Sequence, residues 1–298
     1  MAIHRVEIKD FLVFKGGFAT DFCLGTNVII GGNGTGKTTL LKSLDQARER
    51  YSDGTLGLSY KLKNIETEEE GHCHIKYDGI KAFVYIPEKD ILEHAKGLLT
   101  FMEQKDTGFS VIYKNVLVAA QDIPTKTQTT TQKVVGEKIS TIIGGHVKWV
   151  QSEGIFCTIK MDGKRIPFIN EASGYKKLGF LGLLVASGQL EPGTVLFWDE
   201  PENSLNPELI PVLVDVLLEL SRSGVQIFIA THSELLANYF TVNRQEGDDL
   251  LFLSLYKDGE QIKANTSDRF DFLEPNNLAN ESIKLYEKEI VKGLNGNG

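Results

Sequence analysis

Residues 27–39 read NVIIGGNGTGKTT. Asn27 leads into a short apolar run, Val28 to Ile30, of the kind a buried strand makes, and the run stops at Gly31. From Lys37 the period changes: Leu40, Leu41, Leu44 and Ala47 recur at helical spacing, with Lys42, Asp45 and Arg48 on the other side. The spacing G-x-x-x-x-G-K-T is met by Gly31, Gly36, Lys37 and Thr38, between an expected strand and an expected helix. Glycines at 31, 32, 34 and 36 let the main chain take conformations that side chains forbid, so N–H groups can turn inward toward phosphate oxygens. The helix opening at Lys37 adds its positive end. ATP is therefore expected to bind through Gly31, Gly32, Asn33, Gly34, Thr35, Gly36, Lys37, Thr38 and Thr39. Lys37 is placed for the β- and γ-phosphates, and the Thr38 hydroxyl for Mg²⁺.

Two further segments complete a hydrolytic set. Val195 to Trp198 is an apolar strand run ending in Asp199 and Glu200, and such a strand presents carboxylates to the crevice at its C-terminal edge. Asp199 is expected to hold the magnesium, and Glu200 to orient or deprotonate the attacking water. A second run, Val225 to Ala230, leads to His232. If the two strands are neighbours, that imidazole lies beside Asp199, where it can hydrogen-bond the γ-phosphate.

Composition bounds the rest. The chain has 298 residues, 41% of them apolar and 24% charged, as in a soluble globular protein. Nothing resembles a membrane span or a signal peptide, so a cytoplasmic location and no membrane are expected. Cys23, Cys73 and Cys157 are widely spaced and read as reduced, structural thiols. His72-Cys73-His74 lacks partners at zinc spacing, and adjacent strand residues face opposite ways. A net charge of -8 argues against coating a duplex. Lys114, Lys126, Lys133, Lys138 and Lys148 still concentrate between residues 108 and 150, as either a solvated face or a nucleic-acid surface.

Along the chain, Ile3, Val6, Ile8 and Phe11 alternate as a strand, and a turn follows at Lys15-Gly16-Gly17. Residues 54–86 read as β structure, with hairpin signals at Tyr77-Asp78-Gly79 and later at Asp162-Gly163 and Asp258-Gly259. Residues 66–70 read as an acidic loop and 88–107 as a helix. Residues 121–133 read as a polar, threonine-rich loop, and 134–169 return to strand patterning. Ser173 to Ser187 and Pro207 to Arg222 read as helices, the second capped by Asn206 with Pro207 at its first position. The alternation is α/β, in one domain of 1–298 with an inserted lobe at about 88–168.

GGNGTGKTT at 31–39, DEPENSLNP at 199–207 and ATHS at 230–233 resemble the ABC class of P-loop ATPases, in the soluble branch of RecF, SMC-type proteins and OLD-family nucleases. The opening Ile8-Lys9-Asp10-Phe11 also resembles that branch, although Leu12 stands where a basic residue is usual. The resemblance covers roughly 1–50 and 168–240. It implies a P-loop NTPase of ABC-ATPase type: a mixed central sheet flanked by helices, an N-terminal antiparallel β portion and an inserted α+β lobe. It also implies a homodimer on ATP binding, each nucleotide lying between one phosphate loop and the partner's signature segment. Here that segment is Glu171 to Leu178, with Ala172 in place of the expected serine and Tyr175 in place of a glutamine, glutamate or threonine. Ser173 and Gly174, opening a helix, are the positions left to donate to phosphate, and a plain buried helix start is the other reading. Asn206 falls where the family places the loop between its two sites. The family's glutamine loop has no match that can be placed; Tyr85-Ile86-Pro87-Glu88, after an apolar strand, is the region for it but holds no glutamine.

The leading expectation is a Mg²⁺-dependent ATPase acting as a dimeric switch, in DNA maintenance or anti-phage defence, beside a separate protein effector, with binding of nucleic acid left open. The alternatives are an ATP-binding scaffold with little hydrolysis and the nucleotide-binding subunit of a membrane transporter.

Overall fold

The computed structural model describes residues 2–49, 57–63, 69–88, 95, 114, 117–121, 125 and 127–295. In chain order the N-terminal elements are β1 (Ala2–Lys9), β2 (Phe18–Asp21), β3 (Thr26–Gly31), α1 (Lys37–Asp45), β4 (Gly57–Lys63), β5 (Glu70–Asp78) and β6 (Ala82–Ile86). There follow α2 (Thr130–Ile143), β7 (Gly145–Val150), β8 (Ile155–Lys160), β9 (Arg165–Pro167), α3 (Ser173–Ala186) and β10 (Thr194–Asp199). The chain continues through α4 (Ile210–Arg222), β11 (Gln226–Ala230), α5 (Glu234–Asn243), β12 (Leu250–Asp258), β13 (Gln261–Ser267) and α6 (Asn277–Asn295).

The central sheet runs β13-β12-β3-β11-β10-β6. All neighbours in it are parallel except β12 and β13, so the sheet is mixed. Strands β3, β10 and β11 are buried at every residue, which is why Val28–Ile30, Val195–Trp198 and Ile227–Ala230 within them are continuous apolar runs rather than alternating ones. One face packs Leu40, Leu41 and Leu44 of α1 over Ile29, Phe197 and Phe228. The other packs α3 and α4 over Ile227, Ile229, Leu196 and Trp198. Helices thus cover both faces, as the fold class requires. A second, wholly antiparallel sheet, β2-β1-β5-β4, adds its apolar face to the α1 side. Cys73 points into that core, where burial pushes its thiol up to about 12, while His74 Nδ1 sits 2.8 Å from the Ser59 hydroxyl.

Four expectations are corrected. Tyr77-Asp78-Gly79 does not close a hairpin: β5 and β6 belong to different sheets, so the turn passes the chain from one to the other. Asp162-Gly163 and Asp258-Gly259 do join antiparallel neighbours. Residues 134–143 are not strand but the body of α2, and the threonine-rich stretch is not all loop. The Thr129 side chain accepts from Gln132 N and the Gln132 side chain accepts from Thr129 N, a capping box that starts the helix. Val135, Ile139 and Ile143 then repeat every four residues and are buried, which is a helical and not a strand period. Gln132 itself is buried, donating to Val185 O at 3.0 Å. The helix before β11 is also shorter than read. A 3-10 turn at Pro207–Leu209, with Asn206 accepting from Glu208 N at 3.3 Å, precedes α4.

The described part of 88–168 holds α2 and the antiparallel sheet β7-β8-β9, which packs beside α3. The helix expected over 88–107 lies almost wholly outside the described residues, as does Lys126; of the acidic loop at 66–70, residues 66–68 lie outside them and Glu70 is already the first residue of β5. Lys114, Lys133, Lys138 and Lys148 are exposed.

Candidate functional site

The parallel strands β3, β11 and β10 end together, and the loops beyond them form one crevice. From β3 comes the phosphate loop. Gly34 and Gly36 have φ of 71° and 92°, values costly for any residue with a β-carbon. Thr35 closes the loop on itself, its hydroxyl donating to Gly32 O at 2.9 Å. Lys37 is buried, and its ammonium donates to Gly31 O at 2.9 Å and Gly32 O at 3.3 Å. Burial lowers its pKa, and the carboxylates of Glu200, Asp199 and Glu202 pull it back up. Asn33, Gly34 and Thr38 are exposed on the rim, and Thr39 is half-buried.

From β10 come the two carboxylates. Asp199 is buried, and desolvation raises its pKa while Thr38, Lys42 and Lys37 oppose the rise. Its Oδ2 meets the Tyr85 hydroxyl at 3.5 Å, and its Oδ1 is buried without a hydrogen-bond partner. A buried carboxylate oxygen left unpaired next to a threonine hydroxyl suits a hard divalent cation, so Thr38 and Asp199 fit Mg²⁺. Glu200 follows with φ of 49°, a left-handed conformation that costs a non-glycine residue about 1 kcal/mol. Its N–H still pairs with Ala230 O at 2.9 Å, so the turn away from the sheet happens at this residue. Burial, then Glu88, Glu202 and Asp199, raise its pKa, and Lys37 lowers it.

From β11 comes His232, whose Nε2 stands 3.3 Å from Glu200 Oε1. Burial and Lys37 hold its pKa below the ordinary histidine value, favouring the neutral ring. The structure therefore brings Lys37, Thr38, Asp199, Glu200 and His232 together. Ser173 and Gly174 are not joined to that group by these contacts. They form the first turn of α3, where Ser173 is exposed and Ala172 provides no side-chain cap. A β-carbon on Gly174 would lie 2.9 Å from Leu209 Cδ1 and 3.1 Å from Leu205 Cδ1, so close packing on the 204–209 loop already requires glycine there. Tyr175, at odds with the usual signature pattern, lies under the Lys160 ammonium at 5.6 Å, and Lys160 also pairs with Glu171 at 2.8 Å.

Two acids to which the sequence alone assigns no role, Glu202 and Glu88, join this group. Glu202 Oε1 accepts from the Thr231 hydroxyl at 2.5 Å and from His232 N at 3.1 Å, pinning the histidine loop to the carboxylate loop. Glu88, just past β6, accepts from Asn203 Nδ2 at 2.9 Å, so a carboxylate occupies the region expected for the glutamine loop. Only the position of Glu88 after an apolar strand could have pointed to it.

Residues 119–238 match the family described as "AAA domain, putative AbiEii toxin, Type IV TA system". That stretch contains Glu171 to Leu178, Asp199, Glu200 and His232. A probable amino-acid ABC transporter ATP-binding protein of Haemophilus influenzae is 23% identical over 275 residues, covering 90% of this chain and 84% of that protein. The crystal structure of an SMC head bound to the C-winged helix domain of ScpA superposes with a TM-score of 0.54 at 14% identity, covering 90% of this chain and 98% of the head. The chain has the fold of the ABC-class P-loop ATPases. An SMC head with an extended coiled coil, bound to the C-terminal domain of ScpA derived from Pyrococcus furiosus, agrees: TM-score 0.52, 11% identity, 96% and 98% coverage. In this ABC-class fold, the phosphate loop, the Asp199-Glu200 strand end and the His232 loop converge on one crevice. Among the described residues, no helix is long and apolar enough to cross a membrane.

Proposed function

We propose that this chain binds ATP with Mg²⁺ and hydrolyses it, as a switch whose two copies close around nucleotide. The observation that carries the reading is the meeting of Lys37, Asp199, Glu200 and His232 at the ends of three adjacent strands, although they are far apart in sequence. The amide groups of 31–39 and Lys37 hold the triphosphate. Thr38 and Asp199 hold the magnesium ion, which when bound supplies charge neutralisation on the transferring phosphoryl group. Glu200 takes the water proton, and neutral His232 donates a hydrogen bond toward the γ-phosphate. Ser173 and Gly174 face the nucleotide of the other copy. We read residues 1–298 as one ATPase domain with a lobe inserted at 88–168, cytoplasmic and working beside a separate effector. The match to a family described as a putative toxin of a toxin–antitoxin system supports a setting in defence, and the likeness to SMC heads supports one in DNA maintenance.

Purified protein should hydrolyse ATP with Mg²⁺, and Glu200→Gln should keep nucleotide affinity while losing about 10²–10⁴-fold in turnover, the usual worth of a general base. Turnover left intact in that variant refutes the role given to Glu200. A second reading, the nucleotide-binding subunit of a transporter, is favoured by the Haemophilus influenzae relative. Co-purification with an integral membrane protein from detergent extracts would select it.

A further inference from the structure

Four carboxylates, Glu88, Asp199, Glu200 and Glu202, act on one another within the crevice, against the ammonium groups of Lys37 and Lys42. His232 adds no dependable positive charge there, because its pKa is held down. A polyphosphate entering beside these four acids is favoured by every further cation on the rim of the site. The C-terminal part of the chain brings one.

Strand β12 pairs in parallel with β3, with Leu255 opposite Gly31. Two residues further on the same strand face, Lys257 projects past the end of β3 over the phosphate loop. Its Nζ lies 3.8 Å from the point where a β-carbon on Gly34 would sit. Next to it, at the first residue of α6, Asn277 Nδ2 lies 3.9 Å from the corresponding point on Gly32. Both side chains are exposed, so they line the outer rim and are not part of the core. The neighbouring acid, Asp258, is paired with Lys263, and among the described residues no carboxylate lies within ion-pair distance of Lys257.

We infer that Lys257, with Asn277 beside it, forms a second rim of the phosphate cradle and binds the phosphate chain of a nucleoside di- or triphosphate. The inference rests on the reading of 31–39 as a nucleotide site and adds a residue from outside the three motif segments. Lys37 grips the phosphates from within the loop, and Lys257 closes on them from the solvent side.

The test is equilibrium titration of the full-length protein with fluorescent ADP and ATP analogues. Lys257→Ala and Lys257→Gln should each weaken both nucleotides about fivefold to tenfold, the worth of one solvent-accessible charge-assisted contact. Lys257→Arg should stay within about twofold of wild type, and the alanine variant should show a shallower dependence of affinity on salt. Alanine and glutamine variants that bind both nucleotides within twofold of wild type overturn the inference and leave the nucleotide site standing. Wild-type protein that binds neither nucleotide overturns both.

Discussion

The Lys177 ammonium donates to the main-chain oxygens of Glu200 and Pro201, at 3.1 and 3.3 Å. It does so from one turn past Ser173 on α3, so the segment assigned to the partner's nucleotide is tethered to the residue assigned to the water. Glu200 sits at a φ of 49°, a conformation that persists only where its surroundings hold it. The lysine, the Ala230 hydrogen bond and the turn bond from Asn203 N to Glu200 O are what hold it.

Removing that tether should misplace the carboxylate without emptying the phosphate loop. Lys177→Met is expected to lower kcat about tenfold or more while KM for ATP changes less than about threefold, since loss of positioning acts on the transition state. Steady-state ATPase kinetics decide it. A raised KM at unchanged kcat would make Lys177 a binding group instead.

Gly36 is a position in the phosphate loop where a single methyl group should do harm. Its φ is 92°, and a β-carbon there would lie 2.7 Å from Val13 Cγ2 and 2.9 Å from Phe14 Cζ. Backbone strain and overpacking together put the cost of Gly36→Ala at about 2–4 kcal/mol. Urea denaturation should show a lowered midpoint with an unchanged slope, and nucleotide binding should fall with it.

A pH dependence follows from the far end of α4. Arg222 Nε and Nη2 donate to Asp248 Oδ1 and Oδ2 at 2.8 and 2.6 Å, and Gln245 N adds a third bond at 2.9 Å. The guanidinium holds the Asp248 pKa below its ordinary value. The unfolded chain therefore takes up the proton first, and the stabilisation is complete above the ordinary carboxylate range and lost as pH falls through the lowered folded value. At neutral pH Asp248→Asn should cost about 1 kcal/mol, a modest sum for a bidentate pair near the surface. Thermal melts should show the gap between variant and wild type narrowing as pH drops below about 4, near the unfolded aspartate value. A gap that is constant with pH would mean that shape, not charge, is what matters there.

Much of the site was readable because its parts are local. Strand, loop and helix around Gly31 to Lys37 follow from a change of hydrophobic period across a glycine-rich gap, and both are properties of neighbouring residues. The misreading of 129–143 has an equally local cause. Polar threonines hide a capping box, and β-branched residues lying between Val135, Ile139 and Ile143 imitate a strand although the four-residue repeat is helical. Gly174 shows a different limit. Its packing against Leu205 and Leu209 is tertiary, so a motif position that reads as phosphate-binding also has a purely steric reason to be glycine.

Chemical identity, the phosphate loop, the paired acids at 199 and 200 and the histidine at 232, was already written in residue order, since each motif is a short run whose backbone geometry depends on its own composition. Which groups share the crevice was settled by the strand order β3-β11-β10-β6. That order sets Tyr85 against Asp199 and Glu88 against Asn203, pairs 114 and 115 positions apart. It also lets β12 carry Lys257 to the loop that follows β3. Parallel neighbours in a sheet are chosen by burial of both faces and by crossover connections, forces that act over the whole chain.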